Sequence, residues 1–404
     1  MPDRSRSRPR EAPFVSLNLR MPRSHTPTLW ALLAGNFVIG TGVLAPAGLI
    51  NDLSQAFAVD AATVGTLIAY GGALLCIEAP LLAFFSNKMD RRHLLAGALL
   101  LFALGHLCSA LASDFRTLLA IRLLMISAVA CFTPQAASAL PLFIPAERRA
   151  SAITFIFLGW SLASAIGMPL VNLIGSLTGW KTAYGLLAAA CALAAIAVFA
   201  TLPPGLHAHR LPVTAWRKIL TSGRIWAILS ISSLAIAGQY IKYPYIVVDL
   251  KSRLATDPPT TAMLLAVYGC ASILGTMTAT RVVGLLGVRT TVSAFLSVIL
   301  LGLILWTSQP TLLALTGATL FIWGMGMSPA IAAQQARLIE ADPAAASAST
   351  SMNTSVVYLG QAAGTLLGGE LLISGQATLA GGLAISLLAL ALLISVLLHR
   401  RLRV

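Results

Sequence analysis

Long apolar runs constrain this chain more than any other feature of its sequence. A helix needs about 20 apolar residues to span the hydrocarbon core of a bilayer. Only 10% of the residues are charged, whereas a soluble domain carries about 25%, so a soluble globular fold is excluded. The runs predict an all-α polytopic membrane protein with twelve transmembrane spans, at 28–50, 61–85, 93–113, 116–140, 150–175, 181–202, 225–248, 260–283, 289–306, 310–336, 345–373 and 377–398.

The cations are distributed unequally between the two sides of the predicted membrane. Loops on one side carry 21 of the 27 Lys and Arg residues and loops on the other carry four, while Arg122 and Lys242 lie inside spans. Because Lys and Arg are retained in the cytoplasm, this predicts a multi-pass membrane protein with both termini cytoplasmic. The net charge of +14 then reflects topology and attraction to lipid, and no nucleic-acid partner is expected.

The two halves of the chain repeat one another. Tyr70-Gly71 in the second span matches Tyr268-Gly269 in the eighth at an offset of 198, and the same offset relates Arg91 to Arg289. A duplication of six spans is typical of transporters in which two bundles surround a site in the middle of the membrane. The predicted organisation is a disordered basic tail at 1–25, an N-terminal six-helix bundle at 26–202, a cytoplasmic linker at 203–224 and a C-terminal bundle at 225–404.

Three short motifs resemble those of one transporter family. The loop at 83–92 reads Ala-Phe-Phe-Ser-Asn-Lys-Met-Asp-Arg-Arg, the fourth span contains Leu-Ala-Ile before Arg122, and the fifth contains Gly159 and Gly167-Met168-Pro169. They are similar to motifs of the major facilitator superfamily, in particular its drug:proton antiporter branch with exporters of sugars, purines and chloramphenicol. Asn87 and Asp90 depart from the usual Asp and Gly of the loop, and Met168 interrupts the usual Gly-Pro pair.

The resemblance implies a function as well as a fold. It implies a secondary transporter, not an enzyme, that exports a small organic solute by alternating access, driven by a proton gradient and without a cofactor. The resemblance also implies a bacterial inner membrane as the location, and we expect a monomer in its lipid bilayer. An importer of a neutral or anionic metabolite is the alternative within transport. A membrane enzyme or a non-transporting sensor is disfavoured, since the chain has no H-E-x-x-H motif and no nucleophile elbow. The five cysteines lie in apolar runs without a C-x-x-C pair, so no metal site is expected.

Two of the motifs allow two interpretations each. The loop residues Lys88, Asp90, Arg91 and Arg92 form either a latch that holds the cytoplasmic side closed through charge pairs and helix-dipole contacts, or only a topology signal. The small residues and the proline at positions 159, 167 and 169 of the fifth span mark either a surface where the two bundles seal or ordinary close packing of helices.

Ionisable residues inside the membrane are costly and are expected to be functional. Glu78, about 10 Å from the inner end of its span at 1.5 Å per residue, is the candidate proton carrier, because an apolar setting favours the protonated form that such a carrier must reach. Arg122 is the second proton-coupling candidate. Its depth argues against a pair with Glu78, while depth permits a pair between Lys242 and Glu370.

Polar residues at helical spacing outline a substrate cavity. Such side chains suit a small polar or aromatic solute, and each of them can instead be a hydrogen bond between helices. The cationic Arg122 and Lys242 favour a neutral or anionic solute. Trp306, near an outer span end, is predicted to be an interfacial anchor. The cavity candidates are Asn36, Gln135, Gln239, Lys242, Tyr243, Asn353, Tyr358 and Gln361.

Overall fold

The computed structural model describes residues 25–85, 89–145, 148–207, 217, 219–308, 311–342 and 346–400. Within these residues the chain is helical apart from short connections and contains no β-strand. The helices are α1 (Thr26–Gly48), α2 (Ile50–Phe57), α3 (Ala61–Phe85), α4 (Arg91–Ala110), α5 (Phe115–Ala139), α6 (Arg149–Leu162), α7 (Met168–Thr178), α8 (Trp180–Thr201), α9 (Gly223–Tyr240), α10 (Ile246–Leu254), α11 (Pro258–Thr307), α12 (Leu313–Ala341), α13 (Ala346–Ile373) and α14 (Ala377–Arg400).

Helix α11 is a hairpin of two spans rather than one straight rod. Within the described residues, 11 helical segments are long and apolar enough to cross a membrane, and α11 accounts for 50 residues of them. Its backbone breaks at Gly287, where φ is 75° and ψ is 162°, a conformation that is open essentially only to glycine. Tyr268 and Gly302, which a straight helix would hold about 51 Å apart, both lie against neighbouring residues of α12. All twelve predicted spans are therefore present.

Side-chain caps set where several helices begin. Asp90, Asp114 and Asp257 each accept a hydrogen bond from a backbone N–H in the first turn of α4, α5 and α11, and Ser222 does the same for α9. Such caps satisfy donors that a helix start otherwise leaves without partners. These four helices begin within two residues of the span starts predicted from the sequence.

The structure adds detail to the repeat between the two halves. Ala58 and Ala255, at an offset of 197, end α2 and α10 with φ of 51° and 47°, and they are the two non-glycine residues with positive φ in the described chain. Asp60 and Asp257, at the same offset, each accept a hydrogen bond from the backbone N–H three residues on. The repeat therefore extends to the turns that join the short helices α2 and α10 to the next span.

Two spans are broken near their middle or outer part. The fifth span consists of α6, a π-helical turn at Ala163–Gly167 and α7. The seventh consists of α9, a 3-10 turn at Tyr243–Tyr245 and α10. Pro169 lies in the first turn of α7, directly after the first break, and Pro244 lies in the 3-10 turn that forms the second. A missing N–H costs little at both positions. The breaks approach each other, since the Tyr243 hydroxyl lies 3.5 Å from the Met168 sulfur.

Candidate functional site at the interface of the two halves

Helices α1–α8 and helices α9–α14 meet along an interface that we call the seam. It is formed by α3 against α13 and by α11 against α6, the π-helical turn and α7. Glycines line it: a Cβ on Gly269 would overlap the backbone of Ala165, and a Cβ on Gly72 would lie 3.1 Å from the carbonyl oxygen of Tyr358. Because small residues let helices approach closely, the two halves are in direct backbone contact here.

The seam contains a cavity of about 10 Å³, roughly the space of one water molecule. The N-terminal half contributes Val43, Leu44, Ala47 and Ile68 to its wall, and the C-terminal half contributes Tyr240, Tyr243, Pro244 and Gln361. Two predicted cavity residues, Tyr243 and Gln361, therefore face the opposite half. The seam has to separate before a solute could occupy this level of the membrane.

Tyr243 belongs to an aromatic cluster in the C-terminal half. Its ring centroid lies 5.1 Å from that of Tyr268, 5.6 Å from that of Tyr240 and 6.3 Å from that of Trp323. Its hydroxyl reaches across the seam to the Met168 sulfur at 3.5 Å. The cluster presents both an apolar surface and a polar atom to the other half, as a binding surface for a small polar solute requires.

In the N-terminal half, Asn36 joins three helices. Its side-chain oxygen accepts a hydrogen bond from the Thr133 hydroxyl at 2.9 Å, and the Trp160 indole N–H donates to that hydroxyl at 3.3 Å. Asn36 is fully buried, and Gln135, also buried, lies two residues beyond Thr133 and accepts a hydrogen bond from Ser138. Asn36 thus serves here as an interhelical hydrogen-bonding group of α1, α5 and α6.

The amides of the C-terminal half are similarly buried. The Ser232 hydroxyl donates to the Asn353 side-chain oxygen at 2.7 Å, and Gln334 donates to the carbonyl of Ile228 at 3.0 Å and lies 3.4 Å from Ser232. Gln239 donates only to a carbonyl of its own helix, at 3.4 Å. Asn353 and Gln334 therefore tie α9 to α13 and α12.

Tyr358 lies where α13 crosses α3, half-buried, with its carbonyl against Gly72.

Glu78 is held by a neighbouring helix. The Ser127 hydroxyl of α5 donates to its Oε1 at 2.8 Å, whereas its buried Oε2 has no hydrogen-bond partner among the described residues. The side chain as a whole is half-buried. A carboxyl group with one fixed and one open oxygen can accept a proton without breaking its existing hydrogen bond.

Arg122 closes a gap in helix α1. Its guanidinium donates to the carbonyls of Gly42 at 2.8 Å and Val43 at 3.1 Å. Pro46 lies four residues after Gly42 and has no N–H, so the Gly42 carbonyl lacks its usual donor within the helix. In a membrane such a group must be satisfied by a neighbour, and Arg122 does so. No ion pair between Arg122 and Glu78 is found among the described residues, in agreement with their predicted depths.

Lys242 has a partner other than Glu370, with which its depth permitted a pair. Its ammonium group lies 4.0 Å from Asp249, whereas Glu370, the partner that depth permitted, is exposed. Although adjacent to Tyr243 in sequence, Lys242 does not line the seam cavity but a separate cavity lined by the C-terminal half. Depth fixes the level of a residue but not its direction around the helix, and the 3-10 turn changes that direction.

Trp306 is also not the interfacial anchor that the sequence suggested. It is 1% exposed, its indole N–H donates to Asp249 at 3.2 Å, and the Arg253 guanidinium lies 4.1 Å above its ring. Because its polar tip is occupied inside the protein, its position near a span end does not place it in the headgroup region.

The described residues of the loop before α4 contact their own half. Asp90 accepts hydrogen bonds from the N–H groups of Arg92 at 2.9 Å and Gly205 at 2.8 Å. Arg92 donates to the Phe199 carbonyl and its guanidinium lies 4.2 Å from the centre of that ring, while Arg91 is fully buried. Lys88 lies outside the described residues. The loop therefore fastens α4 to α8 and the segment after it, and the latch between the two halves stays a prediction.

The glycines of the fifth span face α1. A Cβ on Gly159 would meet the backbone of Leu33 and Phe37, and one on Gly167 would overlap Thr41. Their contacts therefore lie within the N-terminal half, as the close-packing interpretation expects. Between them, Ala165 contacts the other half through Gly269 of α11.

A comparison with family models decides the affiliation of the chain. The model described as Major Facilitator Superfamily matches residues 31–365, which covers most of both halves. This chain belongs to the major facilitator superfamily. It is accordingly a multi-pass membrane transporter and not an enzyme.

Several curated relatives of this superfamily member carry the name "Probable sugar efflux transporter". One from Helicobacter pylori (strain G27) is 26% identical, covering 82% of this chain and 85% of the relative. One from Mannheimia succiniciproducens is 25% identical, covering 83% and 84%. One from Haemophilus influenzae is 24% identical, covering 88% and 89%.

Solved structures share the superfamily fold. A bacterial homologue of the human lysosomal transporter Spinster, in an inward-facing and occupied conformation, has a TM-score of 0.75 with 14% identity, covering 94% of this chain and 98% of that one. A D-xylose-proton symporter has a TM-score of 0.74 with 15% identity, covering 91% and 96%. The predicted all-α fold of a polytopic transporter is confirmed.

Some polar residues of this transporter were not predicted from the sequence. His106 is fully buried and its ring stacks on Tyr184 with centroids 5.5 Å apart, beside Arg122. Gln334 and Asp249 complete networks around Asn353 and Lys242. His106 stands alone in an apolar span, and Asp249 lies at the offset of 197 from Asp52, so both carried a signal in the sequence.

Proposed function

We propose that this transporter exports a small organic solute of the sugar class across the cell membrane in exchange for protons. The observation that carries the proposal is the shared name of the Helicobacter, Mannheimia and Haemophilus relatives, which align with more than four fifths of the chain. Their names concern those proteins, and the tyrosines and amides at and beside the seam are what make the same substrate class suitable here.

The binding surface in this proposal consists of amides and aromatic rings near the seam. Tyr243 and Gln361 already face the opposite half, and Asn36 and Asn353 lie deeper in their own halves. Sugars are commonly recognised by hydroxyl-to-amide hydrogen bonds together with aromatic faces, because both faces of a sugar ring carry C–H groups. Opening the seam would bring these groups into contact with solute.

Proton coupling is assigned to Glu78 in this proposal. Its Oε2 has no partner among the described residues and Ser127 holds Oε1, so the group has a fixed position and a vacant lone pair. No cofactor takes part, and a monomer is expected to be sufficient, with both termini in the cytoplasm.

Inside-out membrane vesicles test the direction and the coupling together. An exporter should accumulate radiolabelled sugar in energised inside-out vesicles, and addition of the sugar should release a pre-formed acid-inside pH gradient. Vesicles without the protein provide the background. Accumulation only in right-side-out vesicles would show an importer, and no sugar-dependent proton release across a panel of mono- and disaccharides would contradict exchange with protons.

A further inference from the structure

A second cavity is lined by residues of the C-terminal half, one of which, Tyr245, also contacts α3 at the seam. Its volume is about 230 Å³, and its walls come from the 3-10 turn after α9, from α10, and from the ends of α11, α13 and α14 that the loop charges place outside. We call it the outer pocket. Its wall includes Lys242, Asp249, Arg253, Trp306, Gly375 and Ala377.

The wall of the outer pocket carries more positive than negative side chains. Asp249 Oδ2 lies 3.5 Å from Arg253 and 3.2 Å from the indole nitrogen of Trp306, which donates to it. Arg253 also donates to the Trp306 carbonyl at 3.3 Å. Lys242 is 4.0 Å from the same carboxylate oxygen, beyond hydrogen-bond distance. Two cations thus share one anion, and the single carboxylate is already occupied by Arg253 and Trp306.

The geometry distinguishes the roles of the two cations. Arg253 is fixed by its stacking on Trp306 at 4.1 Å and by its hydrogen bonds. The Lys242 ammonium has Asp249 as its ion-pair partner at 4.0 Å but forms no hydrogen bond to a described residue, and its side chain is 13% exposed. A largely buried ammonium group with open donors is stabilised by an anion in the adjacent space.

The rest of the wall limits the kind of anion. Leu371, Leu372, Ala377 and Ala380 supply apolar surface, and Gly375 leaves open space. An inorganic anion would leave this apolar surface unfilled. A carboxylate that carries a short apolar group would use both parts of the pocket.

We propose that the outer pocket is a binding site for a small organic monocarboxylate, with Lys242 as the residue that pairs with the carboxylate. The site is distinct from the seam cavity, since the two have no lining residue in common. Its ligand approaches from the outer side of the membrane.

Thermal unfolding of the purified full chain in neutral detergent tests this proposal, because a ligand that binds the native state raises the apparent stability. Butanoate, hexanoate and benzoate should raise the unfolding temperature in a saturable manner. Butyramide and butylamine, which match butanoate in size but lack the negative charge, should not. Equal stabilisation by the amide and the carboxylate would overturn the proposal.

Three variants test whether the carboxylates bind in the outer pocket. Lys242→Gln should weaken carboxylate binding about tenfold or more, and Ala377→Leu should weaken it by filling the pocket. Lys251→Gln removes the same charge from an exposed position of the same segment and should bind as the wild type does. Unchanged binding in both Lys242→Gln and Ala377→Leu would overturn the proposal even if carboxylates stabilise the protein.

A lipid headgroup offers an anion next to an apolar chain as well. Nanodiscs of phosphatidylcholine with and without phosphatidylglycerol separate the two sources. Carboxylate binding should be retained in both kinds of nanodisc. Stabilisation by phosphatidylglycerol alone, removed by Lys242→Gln and accompanied by no effect of the carboxylates, would assign the pocket to lipid and overturn the carboxylate site.

Discussion

Pro46 and Arg122 act on the same carbonyl oxygen. Pro46 deprives the Gly42 carbonyl of its helical donor, and Arg122 supplies a donor from another helix. Arg122, a charged residue in an apolar span, is therefore part of the hydrogen bonding of α1. This explains how a permanent cation can be 4% exposed inside the N-terminal half.

The shared carbonyl predicts coupling between the two positions. Arg122→Ala should lower the free energy of unfolding by about 1–3 kcal/mol, since it leaves a buried carbonyl without a donor. In a Pro46→Ala background, where residue 46 regains an N–H that can bond to Gly42, the same substitution should cost less. The measurement is a double-mutant cycle by denaturant unfolding in detergent. Equal losses in both backgrounds would show that Arg122 stabilises the protein by another route.

Glu78 gives a second prediction for a single residue. Glu78→Gln keeps an acceptor for the Ser127 hydroxyl at nearly the same shape but cannot exchange a proton. We expect sugar-dependent proton release in inside-out vesicles to be abolished and sugar binding to the purified protein to be retained. Glu370→Gln removes a carboxylate from an exposed position and should leave proton release intact. Normal coupling in Glu78→Gln would exclude this residue as the carrier.

At the scale of helices, Asp90 fixes the start of α4. Partial burial opposes its ionisation, but hydrogen bonds from the N–H groups of Gly205 and Arg92 and the nearby His93 and His207 outweigh that effect and lower its pKa. A carboxyl group with a lowered pKa in the folded state stabilises the protein above its ordinary pKa of about 3.9, and this stabilisation disappears as the pH falls through the lower folded value.

The Asp90 cap therefore predicts a pH-dependent difference between variants. Asp90→Ala should lower the free energy of unfolding by about 1 kcal/mol at pH 7, and Asp90→Ser, which keeps a capping oxygen, should lower it less. The gap between the wild type and Asp90→Asn should shrink as the pH falls from 7 to 3, because protonation removes the charge that Asn lacks. Unfolding temperatures across this pH range provide the measurement, and a gap independent of pH would contradict the role of the charge.

The packing of α11 on the fifth span makes the seam sensitive to one methyl group. Gly269→Ala places a Cβ on the Ala165 backbone, whereas Gly97→Ala adds the same methyl at an open position of α4. We expect Gly269→Ala to open the seam. In a background without native cysteines, this opening should increase maleimide labelling of an Ala47→Cys reporter, because residue 47 is 1% exposed in the closed seam. Gly97→Ala should leave the labelling unchanged, and equal labelling in both variants would contradict this description of the seam.

The positions of the helices along the chain were predictable, because the bilayer sets the apolar length of a span and side-chain caps set where a helix starts. Apolar length determines a span, and Asp90, Asp114 and Asp257 mark helix starts. Directions around a helix were less predictable. The 3-10 turn at Tyr243–Tyr245 directs Lys242 and Tyr243 to different cavities, so Lys242 pairs with Asp249 and not with Glu370, the partner that depth permitted. Gln334 was missed since its partners, Ser232 and Ile228, lie more than 100 residues away.

At the scale of the whole molecule, the repeat between the two halves constrains which turns lie on the same side of the membrane. Positions offset by 197 have the same cap at Asp60 and Asp257 and the same left-handed helix end at Ala58 and Ala255. Since six spans separate these turns, both must lie on the same side of the membrane. The charges of the loops predict that this side is outside.

Reporter fusions check this orientation for the whole chain. A fluorescent protein that matures only in the cytoplasm should be active when fused after Val404 or inserted after Pro145, and alkaline phosphatase should be active when inserted after Ala58 or Ala255. The paired insertions are the sharpest part of the test, because the repeat requires them to agree with each other whichever way the protein is inserted. Phosphatase activity at only one of the two would contradict a duplication of six spans. Activity at both together with phosphatase activity after Val404 would contradict cytoplasmic placement of the C-terminus and the odd number of spans between each of these sites and the chain end.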